Sequence, residues 1–258
     1  MERIRLASQL AEDVGAYLRG AFVTPHDIRG KADGSIVTEV DIEAERRIRE
    51  AIQRRFLDDA IVGEEGGGNK HAQEEGITWY VDPLDGTSNY AAGLPLFAVS
   101  LAYADAAGVQ GAAIALPMSH ELFYATRGEG AFRNGARISM RKSGDKKKPL
   151  FLVSYAHAVQ HDERISRFLA LRPRPGMRVL GSTVAALCWL AAGAADGGLF
   201  FGQHAWDYAG GAFIAQEAGG RVETISGDPL TLPLDQDVAI AEAESFQIIE
   251  AVKSRIFS

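Results

Sequence analysis

The chain has 258 residues, a formal net charge of −7, 47% hydrophobic residues and 24% charged residues. That composition supports a packed core and excludes global disorder. The acidic balance argues against nucleic acid held on a broad basic face, which needs many Lys and Arg contacts to phosphate. It leaves a phosphorylated substrate open, because bound divalent cations invert the field that carboxylates create.

Cys188 is the single cysteine, so no internal disulfide forms, and its place in the apolar run Val184 to Ala192 reads as a small buried hydrophobe. The segment Met1-Glu2-Arg3-Ile4-Arg5 lacks the apolar core of a signal peptide. No stretch approaches the roughly 20 apolar residues that a membrane span needs. These features lead to the expectation of a soluble, cytoplasmic protein with no membrane contact.

In chain order, Ile4, Ala7, Ala11, Val14 and Leu18 give residues 2–20 the spacing of a helix with one buried face. A second helix is expected over 39–56, capped by Thr38 with Asp41 three residues on. Its apolar positions are read as Ile42, Ile48, Ile52 and Phe56, and Glu43/Arg47 and Glu50/Arg54 are spaced to pair on the wet side. Short strands follow at 60–62 and 77–81, then antiparallel neighbours at 97–103, 109–116 and 121–125. Asn134-Gly135 is a hairpin signal, and Gly128-Glu129-Gly130 reads as turn chemistry.

Ser143 to Pro149, with Lys146, Lys147 and Lys148, reads as a solvated connector. It divides an N-terminal α+β metal-binding half, 1–145, from a C-terminal α/β half, 146–258. In the second half, strands near 150–155, 178–180, 197–201, 220–224 and 237–241 alternate with helices near 161–171, 183–193, 207–218 and 244–256. Such alternation implies a largely parallel sheet.

Three acidic sites stand out. Gly63-Glu64-Glu65 follows a short apolar strand, Asp82-Pro83-Leu84-Asp85-Gly86-Thr87 follows Trp79-Tyr80-Val81, and Trp206-Asp207 opens a Gly/Ala-rich helix. Singly, each has an ordinary reading: an exposed acidic turn, a hairpin turn and a helix cap. Together they suggest more. Pro83 and Gly86 hold a tight turn that can set the carboxylates of Asp82 and Asp85 and the carbonyl of Leu84 around one point. An all-oxygen site of that kind suits Mg²⁺, Mn²⁺ or Ca²⁺. Thr87 can begin a helix, and a helix start attracts phosphate.

At these residues the chain resembles the inositol monophosphatase family. The family pattern is a Gly-Glu-Glu loop, then Asp-Pro-(Ile/Leu)-Asp-Gly-Thr with Asn and an aromatic close behind, then Trp-Asp ahead of a small-residue helix. Here it reads Gly63-Glu64-Glu65, Asp82 to Thr87 with Asn89 and Tyr90, and Trp206-Asp207-Tyr208-Ala209-Gly210. Lys31 with Thr38 and Asp41, Gly181-Ser182-Thr183, and Glu217-Ala218-Gly219-Gly220 extend the likeness across residues 30–225.

The resemblance implies an α+β, α/β layered sandwich of the α-β-α-β-α type, a homodimer, Li⁺ sensitivity, and two or three Mg²⁺ per active site with Mn²⁺ able to substitute. It implies that Glu64, Asp82 and the Leu84 carbonyl hold one cation and that Asp82, Asp85 and Asp207 hold a second. Glu64 and Thr87 would position the attacking water, with Asp41 oriented on Thr87. Gly86, Thr87, Gly181, Ser182, Phe200 and Asp207 would contact the substrate. The reaction implied is hydrolysis of a phosphomonoester on a small metabolite, in which cations lower the pKa of water and stabilise the leaving oxygen.

One position departs from the inositol-specific branch. That branch usually carries a Glu seven residues before the Trp-Asp aspartate, where this chain has Phe200. Either Phe200 lines the pocket and disfavours inositol, or it is core strand and a neighbour such as Gln203 reaches the polyol. Fructose bisphosphate, histidinol phosphate, 3′-phosphoadenosine 5′-phosphate and NADP remain alternative substrates. A role as an interaction protein in a transcription complex and a metal-binding module without turnover are the rival functions.

Overall fold

The computed structural model describes residues 1–24, 27–31, 34–66, 76–142, 149–156, 163, 166, 167, 170, 176–232, 236–242 and 246–256. The expected connector at 143–149 and the expected helix at 161–171 lie largely outside them.

Helix α1 (Glu2–Ala21) buries Leu6, Leu10, Val14 and Leu18 on one stripe. Strands β1 (Ile28–Gly30) and β2 (Ile36–Thr38) form a two-stranded antiparallel arm that the hydrophobic pattern does not announce. Helix α2 (Glu39–Arg55) starts with the capping box expected at Thr38 and Asp41. Its buried row is Val40, Ala44, Ile48 and Ile52, while Ile42 is half exposed. Residues four apart share a helix face, and Ile42 lies two positions off that row. The Glu43–Arg47 and Glu50–Arg54 ion pairs form as their spacing predicts.

The larger sheet has seven strands in sequence order: β3 (Ala60–Gly63), β4 (Thr78–Asp85), β5 (Ala98–Asp105), β6 (Gly108–Leu116), β7 (Glu121–Thr126), β8 (Gly130–Arg133) and β9 (Ala136–Ile138). β3 runs parallel to β4, and the other pairs are antiparallel. A five-residue helix, α3 (Thr87–Ala91), follows β4. The β8–β9 hairpin turns at Asn134 and Gly135, both at positive φ as a type I′ turn requires.

The smaller sheet contains β10 (Leu150–Tyr155), β11 (Gly176–Val179), β12 (Gly197–Gln203), β13 (Gly220–Thr224) and β14 (Gln236–Glu242), ordered β11-β10-β12-β14-β13. β10 pairs in parallel with β11 and β12, but β14 is antiparallel to β12 and to β13. The expectation of a largely parallel sheet is therefore corrected to a mixed one. Among the described residues between β13 and β14 there is no helix, and the two strands pair antiparallel.

Helices α4 (Thr183–Ala191) and α5 (Ala205–Glu217) lie between the two sheets. Their residues join Tyr80, Ile114 and Phe123 of the larger sheet and Leu152, Phe200 and Ile240 of the smaller in one apolar cluster. A helix covered on both sides is apolar almost all round, which is why neither shows a polar face. α1 and α2 cover the outer face of the larger sheet, against Trp79, Val81 and Val99. Helix α6 (Phe246–Ile256) covers the outer face of the smaller one through Phe246 and Ile249. The layers are α-β-α-β-α, as the resemblance implies. Among the described residues no helix is long and apolar enough to cross a membrane.

Candidate active site

The eight residues of β4 are all buried, and the strand continues past its apolar start through Asp82 to Asp85. Pro83 has no N–H to give the ladder, and the register with β5 slips between Asp82 and Asp85. Leu84 N donates to Asp82 Oδ1 at 3.0 Å, the side-chain-to-backbone bond by which an aspartate mimics a turn. Gly86 follows at φ +92°, and a Cβ there would stand 3.1 Å from Leu96 O and 3.2 Å from Gly181 O. Only glycine fits that turn.

Thr87 begins α3. Its Oγ1 lies 2.8 Å from Asp41 Oδ1 and 3.0 Å from Leu84 O. The hydroxyl has one proton, so it serves one of these acceptors at a time. Asp41 is fully buried and takes two further bonds on Oδ2, from Thr38 N and Thr38 Oγ1. Burial raises its pKa, and the donors from Thr38 and Thr87 oppose that rise.

Asp85 caps a helix far away in sequence. Its Oδ2 accepts from Ser182 Oγ and from Val184 N at 2.9 Å, and its Oδ1 accepts from Thr183 N at 3.2 Å. Burial pushes its pKa up to about 6 against the pull of these donors. Ser182 in turn caps α4 by accepting from Ala185 N. Asn89 donates to Leu96 O and Leu180 O, tying the Gly86 turn to the Gly181-Ser182 segment.

The Gly63-Glu64-Glu65 turn leaves β3 and is held from α2. Glu45 accepts from Glu65 N at 2.7 Å and from Gly66 N at 2.8 Å. From the other side, Lys31 Nζ, just past β1, donates to Glu64 Oε1 at 2.7 Å and Glu65 Oε1 at 2.6 Å. Burial raises the pKa of Glu64, and Lys31 opposes it. Burial and the charge of Glu64 push Glu65 up to about 7 against the pull of Lys31. Burial alone would lower the pKa of Lys31, but Glu64 and Glu65 outweigh it and the group is raised.

Asp207 lies in the first turn of α5, where its Oδ2 accepts from His204 N at 2.8 Å. The His204 ring stacks on Trp206 at 4.7 Å. Asp82 is where the acidic residues meet. Burial first, and then the charges of Glu64, Asp85 and Asp207, raise its pKa well above the usual carboxylate range. Those four side chains, from three segments, share one electrostatic neighbourhood.

Phe200 does not face that neighbourhood. It is fully buried in β12, packed into the inter-sheet cluster, and its ring occupies the space that a Cβ on Gly198 would fill. Of the two readings of this position, core packing is the one its surroundings match. Gln203, the other candidate, is also buried; it accepts from Thr183 Oγ1 at 2.7 Å and donates to Phe201 O at 2.7 Å.

Glu45 is a site-building residue that sequence reasoning missed, though a charged residue beside the buried row of α2 was a signal. The bond from Ser182 to Asp85 had no sequence signal, because 97 positions separate the two.

The donors available to a metal are carboxylate and carbonyl oxygens, which suit Mg²⁺ and Mn²⁺. Among the described residues no group of three or more His, Cys, Asp or Glu side chains is gathered to hold a metal ion as it stands. Glu64 is drawn to Lys31 and Asp85 to the start of α4. The residues nonetheless fit a cation in charge: Asp82 is buried and feels the charges of Glu64, Asp85 and Asp207.

Comparison with known proteins agrees with this geometry. The sequence model of the inositol monophosphatase family matches residues 1–256. The chain is 34% identical over 257 residues to inositol monophosphatase 2 of Rattus norvegicus, covering 96% of this chain and 88% of that protein. It is 34% identical over 229 residues to the Nus factor SuhB of Vibrio cholerae, covering 87% and 85%. It superposes on an IMPase from Thermotoga maritima with a TM-score of 0.89 at 28% identity, covering 100% and 98%. The chain therefore belongs to the inositol monophosphatase family, whose members are phosphatases, hydrolases acting on phosphoric monoesters.

Proposed function

We propose that the protein is a Mg²⁺-dependent phosphomonoesterase that hydrolyses a small phosphorylated metabolite by two-cation activation of water. The observation that carries this reading is the bond from Thr87 Oγ1 to buried Asp41, at the head of the turn that presents Asp82 and Asp85. A hydroxyl whose proton goes to Asp41 turns its lone pairs toward an incoming water, which water positioning uses and metal binding alone does not require.

Glu64, Asp82 and the Leu84 carbonyl would hold one cation, and Asp82, Asp85 and Asp207 a second. Bound there, Mg²⁺ would supply Lewis-acid polarisation of a phosphate oxygen and a water, and charge for the leaving oxygen. The chain supplies the rest. Thr87 and Glu64 orient the water, and Asp41 fixes which way the Thr87 hydroxyl points. The N–H groups of Gly86 and Thr87 receive the phosphate, and burial keeps bulk water from weakening those contacts. Gly181 and Ser182 close the turn from the α4 side.

The substrate we favour is the phosphomonoester of a small polyol or sugar. The support is the set of relatives: inositol monophosphatases, and a fructose-1,6-bisphosphatase/inositol-1-monophosphatase of Aquifex aeolicus that is 34% identical over 212 residues. A cytoplasmic, Li⁺-inhibited homodimer and a division of the chain near residue 145 rest on the family resemblance and the residue pattern. A second reading, partnership in a transcription complex, draws on the Nus factor relative.

The test is phosphate release from inositol 1-phosphate, fructose 1,6-bisphosphate and nucleotide monophosphates, with Mg²⁺ and after extensive dialysis against chelator. Metal-dependent release from at least one substrate is expected. Full activity in chelator sinks the cation mechanism, and no release from any of them with Mg²⁺ favours the partner reading.

A further inference from the structure

We infer that Ser100 is a positioning residue of the cation site, its hydroxyl donating to the carboxylate of Asp82 when the site is loaded. The inference rests on the proposed cation mechanism and adds to it a residue that neither the sequence pattern nor the resemblance singles out.

Three observations converge on Ser100. First, its Oγ is a buried side-chain atom with no hydrogen-bond partner among the described residues. Buried hydroxyls nearly always have partners, because leaving one unmade forfeits its hydration for nothing, so an orphan calls for an explanation. Second, Ser100 stands directly opposite Asp82 in the β4–β5 ladder, at the last pair before the register slips. Directly opposed residues share a sheet face, with Cβ atoms about 4.5–5.5 Å apart. A turn about the Ser100 Cα–Cβ bond can bring hydroxyl and carboxylate together over that span.

Third, α5 closes over this point. A Cβ on Gly210 would stand 2.9 Å from Ser100 Oγ, so the helix backbone rides directly on the hydroxyl. Asp207 is one turn earlier on the same helix. Ser100 thus sits between the strand that carries Asp82 and the helix that carries Asp207. Among the described residues, Asp82 accepts a hydrogen bond only from Leu84 N. An additional donor would fix the plane of a carboxylate asked to bridge two cations, which is the task that outer donors perform around metals.

The test pairs two measurements on Ser100→Ala, which removes the oxygen and leaves the packing nearly unchanged. In the cation-free protein the variant should melt at the same temperature as wild type or higher, because an unpaired buried donor has been deleted. Titrated with Mn²⁺ alone, and followed by the electron paramagnetic resonance signal of the free ion, it should bind about tenfold more weakly than wild type. The temperature rise on adding Mg²⁺ should shrink accordingly. In turnover kcat should fall while KM changes little, since the substrate is not touched.

Opposite signs in the two states are the signature, since a residue that merely packs shifts both states alike. If wild type binds Mn²⁺ and Ser100→Ala binds it equally well, the positioning role is overturned while the phosphatase mechanism stands. If wild type binds no Mn²⁺, the cation mechanism falls and this inference with it. If Ser100→Ala is destabilised equally with and without cation, Ser100 is a packing residue and the inference is wrong.

Discussion

The two flanks of the acidic site are built differently. On one flank, Asp82, Asp85 and Thr87 sit on a buried strand and its turn, fixed by backbone N–H groups, Asp41 and the start of α4. On the other, Glu64 and Glu65 hang on a turn between β3 and the arm of β1 and β2, held by ion pairs to Lys31 and by Glu45. The first flank is shaped by hydrogen bonds within the chain itself. The second is held by an ammonium group on two carboxylates, and an ion pair can be exchanged for another without disturbing the core.

The largest effect should come from the fixed flank. Asp82→Asn removes the charge at the centre while leaving the turn's bond to Leu84 N possible. Turnover should fall about a thousandfold or more, the loss of about 4 kcal/mol of transition-state stabilisation, with the melting temperature retained. Near-normal rates in the folded variant would remove Asp82 from the site.

Phe200→Ala comes next, and it separates core from site. Truncating a fully buried phenyl ring should lower stability by about 3–5 kcal/mol, read by denaturant unfolding, while KM stays near the wild-type value. A KM change without a stability loss would return Phe200 to the substrate pocket.

Thr87→Ala should lower kcat by roughly a hundredfold with KM almost unchanged, as loss of a water-orienting group predicts. A pure KM effect would make Thr87 a phosphate ligand instead.

The smallest effect probes the other flank. Lys31→Met removes the resident ammonium from Glu64, so divalent cations should bind the substrate-free protein about fivefold more tightly, as expected for an ion pair worth about 1 kcal/mol. Calorimetric titration with Mg²⁺ reads it. Weaker binding would mean that Lys31 supports the loaded site rather than competing for it.

Much of this was legible in the sequence, for physical reasons. Long elements announce themselves by period, and α1, α2, β5 and β6 fall within a residue or two of their expected bounds. The Asp82-to-Thr87 turn was readable because Pro and Gly constrain the backbone wherever they stand. β1 and β2, at three residues each, are too short to show alternation, and β1 is exposed throughout. The direction of β14 was not readable, since an apolar strand has the same pattern whether its neighbour runs with it or against it. Phe200 shows the limit of position-by-position reading. The residue type raised a question about specificity, and only the packing around β12 could say which way the ring faces.

The bonds between Asp85 and the start of α4 join positions 97 to 99 residues apart. They close only when the larger sheet and α4 are in place together, so neither element holds this corner of the site by itself. Catalytic competence is therefore tied to long-range closure and not to any local element. The amide protons of Thr183 and Val184 should accordingly exchange with solvent only through opening of the whole molecule, as slowly as the most protected strands, even though they lie beside the acidic site. Native-state hydrogen exchange at these two positions would show whether the enzyme's active centre is also its slowest lock.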